Sequence, residues 1–291
     1  MGTERAVGRS STLRDALYAG TWIDRQIDRL GTDPRLDAIA ERLERLTGAL
    51  TSRHEIRDAL SGTWLGHPVH PALTDVPIGF WTSSMVIDLI GGRRAAPLAR
   101  TFVALGLLGA VPAALTGAND WHDTEGPARR IGVVHGVLNT GAVVAYAASW
   151  IARGRHRSAG IALGLVGATL ATAAATLGGS LVLIEGIGVD RAAFDEAPDE
   201  WAGDVDLGAF DEGVTRVEGA GGAYLVSRHG NEVTVLSGTC PHRGGPLGAD
   251  DVEGDIVTCP WHGSRFAIDD GAIRRGPASA PLACFHTRLD S

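Results

Sequence analysis

The chain has 291 residues, about twice the length of a typical single domain, so two or more folded units are expected. Its 26 basic residues are all arginines and face 34 acidic residues, and the net charge of −8 disfavours binding to nucleic acid. Three cysteines are too few, and of the wrong parity, for a disulfide-stapled secreted domain. A mean hydropathy of only +0.06 conceals long uncharged stretches, which point to a membrane portion.

The N-terminal region, residues 1–64, is polar and charge-balanced, and the lack of an apolar core at its start predicts no signal peptide. Asp33 and Pro34 are typical of a helix cap and first turn. The apolar residues that follow recur every three or four positions: Leu36, Ile39, Leu43, Leu46 and Leu50. They predict an amphipathic helix that forms a hairpin with an earlier stripe at 13–30. Such a stripe could form a homo-oligomer or lie on a bilayer, but intramolecular packing is favoured because two heptads are short.

Residues 65–186 contain four apolar segments, at 73–90, 101–118, 131–152 and 158–184. Each approaches the roughly 20 residues that a helix needs to cross a bilayer. A soluble helix bundle is disfavoured because the last two segments lack a polar face. The sequence therefore predicts a multi-pass four-helix transmembrane domain at 65–186, followed by an acidic linker at 187–206. Asp88 at the end of the first segment is expected to snorkel to the membrane surface or to pair with Arg93.

Short alternating apolar runs predict a small all-β domain at 207–291. Two loops in this region each carry one cysteine and one histidine, Cys240 with His242 and, after sixteen residues, Cys259 with His262. Two thiolates suit one ferric ion of a [2Fe–2S] cluster, and two neutral imidazoles suit the other. A structural zinc site is the alternative, although Cys₂His₂ zinc sites usually place their cysteines together and their histidines together.

This pattern resembles the Rieske [2Fe–2S] domain, with Pro and Gly around both ligand pairs, and the resemblance implies that these four residues bind the metal. Rieske proteins of quinol-oxidising complexes carry a further disulfide-bonded cysteine in each loop, where this chain has Gly245 and Trp261. The chain is therefore more similar to soluble, ferredoxin-type Rieske domains. Ser264 stands where a hydroxyl can donate to a cluster sulfur, although it could equally be a turn residue. Cys284 lies outside both loops and is expected to be a small buried strand residue.

Four histidines surround the apolar segments: His67, His70, His122 and His135. With four crossings, all of them and the Rieske domain meet at one face of the membrane. We expect His70 and His135 to be axial ligands of a haem b, with Asn139 and Asp75 beside them. A metal ion, a quinone, or a simple hydrogen bond to a carbonyl within the bundle are the alternatives. Residues 65–186 also resemble a family of uncharacterised bacterial four-helix membrane proteins, which implies a topology but no activity.

The sequence as a whole indicates a membrane-anchored electron carrier that passes single electrons between a soluble partner and a haem or quinone site at the membrane face. The missing signal peptide and disulfide, and the assembly of clusters inside cells, favour a cytoplasmic Rieske domain. An oxygenase catalytic subunit is disfavoured because only residues 263–291 follow the second loop. The alternatives are a quinone or haem oxidoreductase and a redox-responsive regulatory or transport protein.

Overall fold

The computed structural model describes residues 22–193, 212–219, 222–285 and 287. The first part of the predicted N-terminal stripe and most of the predicted acidic linker lie outside these residues.

The N-terminal region forms three helices: α1 (Trp22–Thr32), α2 (Asp37–Thr51) and α3 (His54–Ser61). The predicted cap at Asp33 is confirmed, because its carboxylate accepts a hydrogen bond of 3.0 Å from the Arg35 amide at the start of the short turn Pro34–Leu36. Helix α1 lies against the membrane domain, where Ile27 is buried among apolar side chains. Leu46 of α2 is exposed, so the stripe on that helix is only partly covered.

Four long helices follow: α4 (His70–Ile90), α5 (Ala96–His122), α6 (Gly126–Arg153) and α7 (Arg157–Leu183). Helices α4 and α5 form one antiparallel hairpin, α6 and α7 form a second, and the two hairpins pack side by side. Among the described helices, α5 with its preceding turn, α6 and α7 are long and apolar enough to cross a membrane. The prediction of spans is therefore supported for three of the four segments. Helix α4 has 21 residues but carries two aspartates, Asp75 and Asp88.

The long helices turn large apolar side chains outward and pack against each other through small ones. Leu89, Leu108 and Ile151 are largely exposed, whereas the buried positions of α7 are mainly glycine, alanine and serine. This distribution is typical of helices in lipid, where small residues allow the backbones to approach and apolar side chains face the acyl chains. It agrees with three membrane-crossing helices.

The predicted pairing of Asp88 with Arg93 is wrong. Asp88 is buried and accepts from Arg153 at 2.6 Å and from Arg157 at 3.1 Å, across the helix interface. Arg93 is exposed, because the chain turns away after α4 through Gly92, whose φ of +61° a side chain rarely adopts. The arginines that neutralise Asp88 therefore come from the opposite hairpin.

The C-terminal part is all β, as predicted. One antiparallel sheet has the order β1 (Gly213–Gly219), β2 (Gly222–His229), β3 (Glu232–Ser237) and β8 (Cys284–Phe285). The other has the order β4 (Val252–Glu253), β5 (Ile256–Thr258), β6 (Arg265–Ala267) and β7 (Ile273–Arg275). Cys284 lies in a strand, but the prediction that it is buried is wrong, because its side chain on this short edge strand is exposed.

Candidate metal centre

Two loops with the same backbone geometry form the candidate metal centre. In each, the cysteine amide donates to the carbonyl five residues later, at 2.8 Å in both loops, and the amide four residues later donates back to the cysteine carbonyl. The cysteines are Cys240, between β3 and β4, and Cys259, between β5 and β6. The residue four positions later is Gly244 or Gly263, with φ of +76° and +75°. Only glycine adopts this conformation without strain, which explains the glycine in each loop.

The two cysteine sulfurs lie close together and receive backbone hydrogen bonds. The amides two and three residues after each cysteine donate to its sulfur. Hydrogen bonding from the Cys240 thiol lowers the pKa of Cys259 to about 6, and the same contact raises the pKa of Cys240. Both thiols are buried and reduced. Amides directed at sulfur stabilise its negative charge, as thiolate ligation of iron requires.

The two histidine rings, His242 and His262, face each other with centroids 5.0 Å apart and planes at 87°. Each Nδ1 is buried and has no hydrogen-bond partner among the residues that the structure describes. Burial lowers the pKa of His242 to about 3, against the opposing effect of Asp123, and burial also lowers the pKa of His262. Both imidazoles are therefore neutral, the state in which a histidine nitrogen binds a metal.

The four side chains form two pairs, one of sulfurs and one of imidazoles. Within the described ranges, no three His, Cys, Asp or Glu side chains are placed to share a single metal ion. A tetrahedral zinc ion needs all four ligands around one point, so this arrangement does not favour the zinc alternative. Two unpartnered imidazole nitrogens and two amide-bonded sulfurs fit a cluster with two irons.

Gly245 and Trp261 stand where some Rieske proteins have two disulfide-bonded cysteines, and they lie side by side. A Cβ atom on Gly245 would lie 2.8 Å from the Cys259 sulfur and 3.2 Å from the Trp261 ring, so no side chain fits there. Trp261 is exposed and lies against His262, with ring centroids 6.4 Å apart. An aromatic side chain thus covers one edge of the centre, where the Rieske proteins of quinol-oxidising complexes carry their disulfide.

Ser264 is fully buried directly behind the second loop. Its carbonyl accepts from the Cys259 amide, and its hydroxyl oxygen accepts from the Ala278 amide at 3.0 Å. Because the oxygen is the acceptor in that bond, the hydroxyl proton remains available for donation. The predicted hydrogen bond from Ser264 to a cluster sulfur is compatible with this geometry and stays a prediction.

The helical domain reaches the candidate centre through two charged residues that the sequence analysis did not identify. Arg57 of α3 donates to both oxygens of Asp123, which follows α5, at 2.6 Å, and also to the His262 carbonyl at 3.3 Å. Asp123 lies 3.4 Å from Nε2 of His242. Both side chains are largely buried. The sequence gives one indication of this contact, because Asp123 follows His122 in a loop that is expected on the cluster side.

A cavity of about 270 Å³ lies beside this contact, between the helical domain and the β domain. His67, Asn119 and Asp123 line it from the helical side, and His242 and Arg243 line it from the loop of Cys240. The end of the helical domain that carries His67 and Asn119 therefore faces the candidate centre. The walls bring carboxylate, amide and imidazole groups together at the end of the apolar helices.

His70 and His135 are both engaged by backbone carbonyls of neighbouring helices. Nδ1 of His70 lies 2.9 Å from the Ala113 carbonyl, and Nδ1 of His135 lies 2.8 Å from the Ala174 carbonyl. Nε2 of His135 lies 3.0 Å from the Asn139 amide, so both of its nitrogens have partners. A hydrogen bond to a carbonyl within the bundle is one of the alternatives to haem ligation that the sequence leaves open.

Asp75, predicted to lie beside His70, is exposed on α4. Of the two other histidines near the apolar segments, His67 is exposed, and Nδ1 of His122 is buried without a partner in the described residues. Nothing in the contacts of these residues supports a haem, and haem ligation stays a prediction.

Comparison with known proteins assigns both parts of the chain. Residues 201–286 match the Rieske [2Fe–2S] domain, and residues 66–191 match a family described as a predicted membrane protein, DUF2231. Ferredoxin CarAc of Metapseudomonas resinovorans is 31% identical over 77 residues, which cover 26% of this chain and 72% of the ferredoxin. No solved structure gives a significant match.

Two further relatives are similar to the β domain. The ferredoxin component of biphenyl 2,3-dioxygenase from Rhodococcus jostii (strain RHA1) is 32% identical over 66 residues, which are 23% of this chain and 62% of that protein. The iron–sulfur subunit of the cytochrome b6-f complex from Chlorobaculum tepidum is 32% identical over 66 residues, 23% of this chain and 35% of the subunit. The chain thus spans less than two thirds of these two relatives. It belongs to the Rieske [2Fe–2S] family, with its Rieske domain joined to a DUF2231 membrane domain.

Proposed function

We propose that this protein is a membrane-anchored Rieske electron carrier in which Cys240, His242, Cys259 and His262 hold a [2Fe–2S] cluster. The observation that carries the proposal is the pair of matched loops, with amides directed at two sulfurs and two buried imidazole nitrogens left without partners. A cluster of this type accepts and releases one electron at a time. The same observation supports metal binding in the proposed domain at 207–291. The three helices that are long and apolar enough to cross a membrane support the domain at 65–186 as the anchor.

The protein side chains tune and orient this centre. The four amides at the sulfurs stabilise negative charge, which favours the reduced state. A neutral His242 whose Nδ1 binds iron carries its proton on Nε2, where it faces the Asp123 carboxylate. Asp123 therefore holds the orientation of the ring and fixes the cluster loop on the helical domain.

A soluble electron-transfer partner is proposed on the side of Trp261. This side chain is 55% exposed beside His262, at the edge of the centre that the helical domain leaves open. Aromatic residues at such an edge are common in contacts between proteins. The likeness to two ferredoxins supports a partner of this kind.

A quinone oxidoreductase is the second candidate, because the 270 Å³ cavity lies at the ends of the helices and borders His242. That volume is close to the lower end of small-molecule sites, roughly 300 Å³. Oδ1 of Asn119 in its wall has no partner among the described residues and could accept a hydrogen bond from a ring hydroxyl, as could the carboxylate of Asp123. Reoxidation of the reduced protein by a quinone in detergent would favour this candidate.

Metal analysis and spectroscopy test the main proposal directly. We expect the full chain, purified in detergent, to contain two irons and two acid-labile sulfides per chain. Reduction with dithionite should give a rhombic EPR signal and bleach the visible absorption. A preparation that holds stoichiometric zinc, or that binds no iron after reconstitution with iron and sulfide, would contradict the proposal.

Ser264→Ala is expected to lower the reduction potential by about 65–130 mV. A hydrogen bond to a charged group contributes about 1.5–3 kcal/mol, and about 1.4 kcal/mol corresponds to 59 mV for one electron. Potentiometric titration followed by EPR measures the shift. Ser237→Ala is the matched control, because Ser237 is equally buried and its hydroxyl also accepts a backbone amide, from Thr239. An unchanged potential in Ser264→Ala would leave Ser264 with a structural role only.

The exposed thiol of Cys284 provides a test of sidedness. Six arginines flank the far ends of the helices and five flank the cluster side, so the positive-inside rule does not select an orientation. We propose the cytoplasmic face for the Rieske domain. A membrane-impermeant maleimide should then label Cys284 in inverted vesicles and leave it unlabelled in intact cells, with Cys284→Ser as the blank. Labelling in intact cells would place the domain outside.

A further inference from the structure

A cluster of three charges, two of them buried and the third, on Arg157, 32% exposed, lies at the other end of the helical domain, remote from the Rieske domain. Asp88 of α4 accepts from Arg153, at the end of α6, and from Arg157, at the start of α7. The side chains of Asp88 and Arg153 are only 6% and 4% exposed. Removing ions from water is costly unless their charges are balanced and their hydrogen bonds are made.

The cluster carries more positive than negative charge. One carboxylate faces two guanidinium groups, and both of its oxygens are already in use. Asp88 is the only acidic residue between residues 76 and 119, and residues 126–184 contain none, so these helices supply no second carboxylate. The carbonyl end of α6 contributes roughly half an elementary negative charge, which still leaves a surplus of positive charge.

Two guanidinium nitrogens in this cluster are also without hydrogen bonds. Nε of Arg153 donates to the Ser149 hydroxyl and Nη2 binds Asp88, but Nη1 is buried and has no partner among the described residues. Nε of Arg157 is also buried and has no partner among the described residues. Such donors are rare in folded proteins, and each needs an acceptor that the described side chains do not supply, such as a water or an anion.

A second cavity of about 270 Å³ begins at this cluster and has an apolar lining. Arg153 and Asp88 line it together with Trp81, which lies seven residues before Asp88 and so about 10 Å further along α4. Trp81 is itself held by stacking on Tyr146, with ring centroids 4.0 Å apart. The cavity therefore extends from the ion pair of Asp88 and Arg153 at the helix termini toward the middle of the apolar helices.

The rim of this cavity faces the lipid side of the bundle. Leu89 and Leu165 both line it and are 82% and 51% exposed. A ligand that enters from the bilayer could place an anionic group at the helix termini and an apolar chain along the helices. A soluble anion would fill only the charged end.

We propose that this cavity binds the headgroup phosphate of an anionic phospholipid, with Arg153 as the principal donor. A phosphate oxygen accepts from the free Nη1, and guanidinium groups match phosphate geometry well. A headgroup with net negative charge compensates the surplus positive charge, whereas a zwitterionic headgroup does not. The acyl chain of the anionic lipid lies along the apolar lining that ends at Trp81.

Thermal unfolding of the full chain in detergent tests the proposal. Phosphatidylglycerol should raise the unfolding midpoint in a saturable manner, and phosphatidylcholine or inorganic phosphate at the same concentration should not. Arg153→Gln should weaken the apparent affinity for phosphatidylglycerol at least tenfold. Arg94→Gln is the matched control, because it removes the same charge from an exposed residue at the same end and should leave the affinity unchanged.

A second variant keeps the proposal testable if Arg153→Gln does not fold. Leu165→Trp leaves the ion pairs intact, narrows the apolar part of the cavity and should also abolish the selective effect of phosphatidylglycerol. Equal stabilisation by both lipids would overturn the proposal. An unchanged effect of phosphatidylglycerol in Arg153→Gln or in Leu165→Trp would also overturn it. An equal effect of inorganic phosphate alone would do the same.

Discussion

Replacing Cys240 with serine is expected to abolish the cluster, with iron content falling to background and no EPR signal after reduction. A serine hydroxyl is not ionised near neutral pH, so it cannot supply the soft, negatively charged ligand that a ferric ion takes from a thiolate. The sulfur of Cys240 also lies against Cys259 and inside the core of the β domain, so no other described side chain can take its place. Iron and sulfide analysis of the purified variant measures the effect.

Cys284→Ser provides a matched control for this experiment. It makes the same atomic change in the same domain, but at an exposed thiol on an edge strand away from both loops. We expect this variant to retain two irons per chain and an unchanged EPR spectrum. Iron retained in Cys240→Ser, or lost in Cys284→Ser, would contradict the ligand assignment. Circular dichroism of the purified Cys240→Ser variant distinguishes cluster loss from failure to fold.

The ligand loops could be predicted from the sequence because their requirements are local. A cysteine that receives amides from the residues two and three positions later needs a tight turn, and that turn needs glycine at positions such as Gly244 and Gly263. Spacing along the chain therefore carries most of the geometry. The placement of Cys284 was not predictable in this way, because exposure on a strand depends on which strand pairs beside it.

The charged contacts between distant segments could not be predicted. Arg57 and Asp123 are 66 residues apart, and their contact depends on how α3 docks on the end of α5. The pairing of Asp88 with Arg153 depends on which sides of α4 and α6 face each other. Hydrophobic periodicity identifies a helix, but helices that are apolar all round give no indication of the facing side.

Asp123→Asn is expected to raise the reduction potential of the cluster, and Arg57→Gln to lower it. Reduction adds negative charge, which a nearby carboxylate opposes and a guanidinium favours. A unit charge 8–16 Å away contributes about 1–2 kcal/mol at an effective dielectric constant of about 20, equivalent to roughly 40–80 mV for one electron. Asp123 acts through the proton on Nε2 of His242, so it is a positioning residue whose charge also reaches the centre.

The opposite signs separate an electrostatic effect from general damage. Breaking a buried ion pair is destabilising in either variant, by about 3–5 kcal/mol, so both would lose stability together. Only the charge effect shifts the potential in opposite directions, and the double variant should return close to the wild-type value. Asp37→Asn, which removes the partner of Arg130 from a more exposed pair on α2, should leave the potential unchanged. Shifts of the same sign in Asp123→Asn and Arg57→Gln would show that this contact only supports the fold.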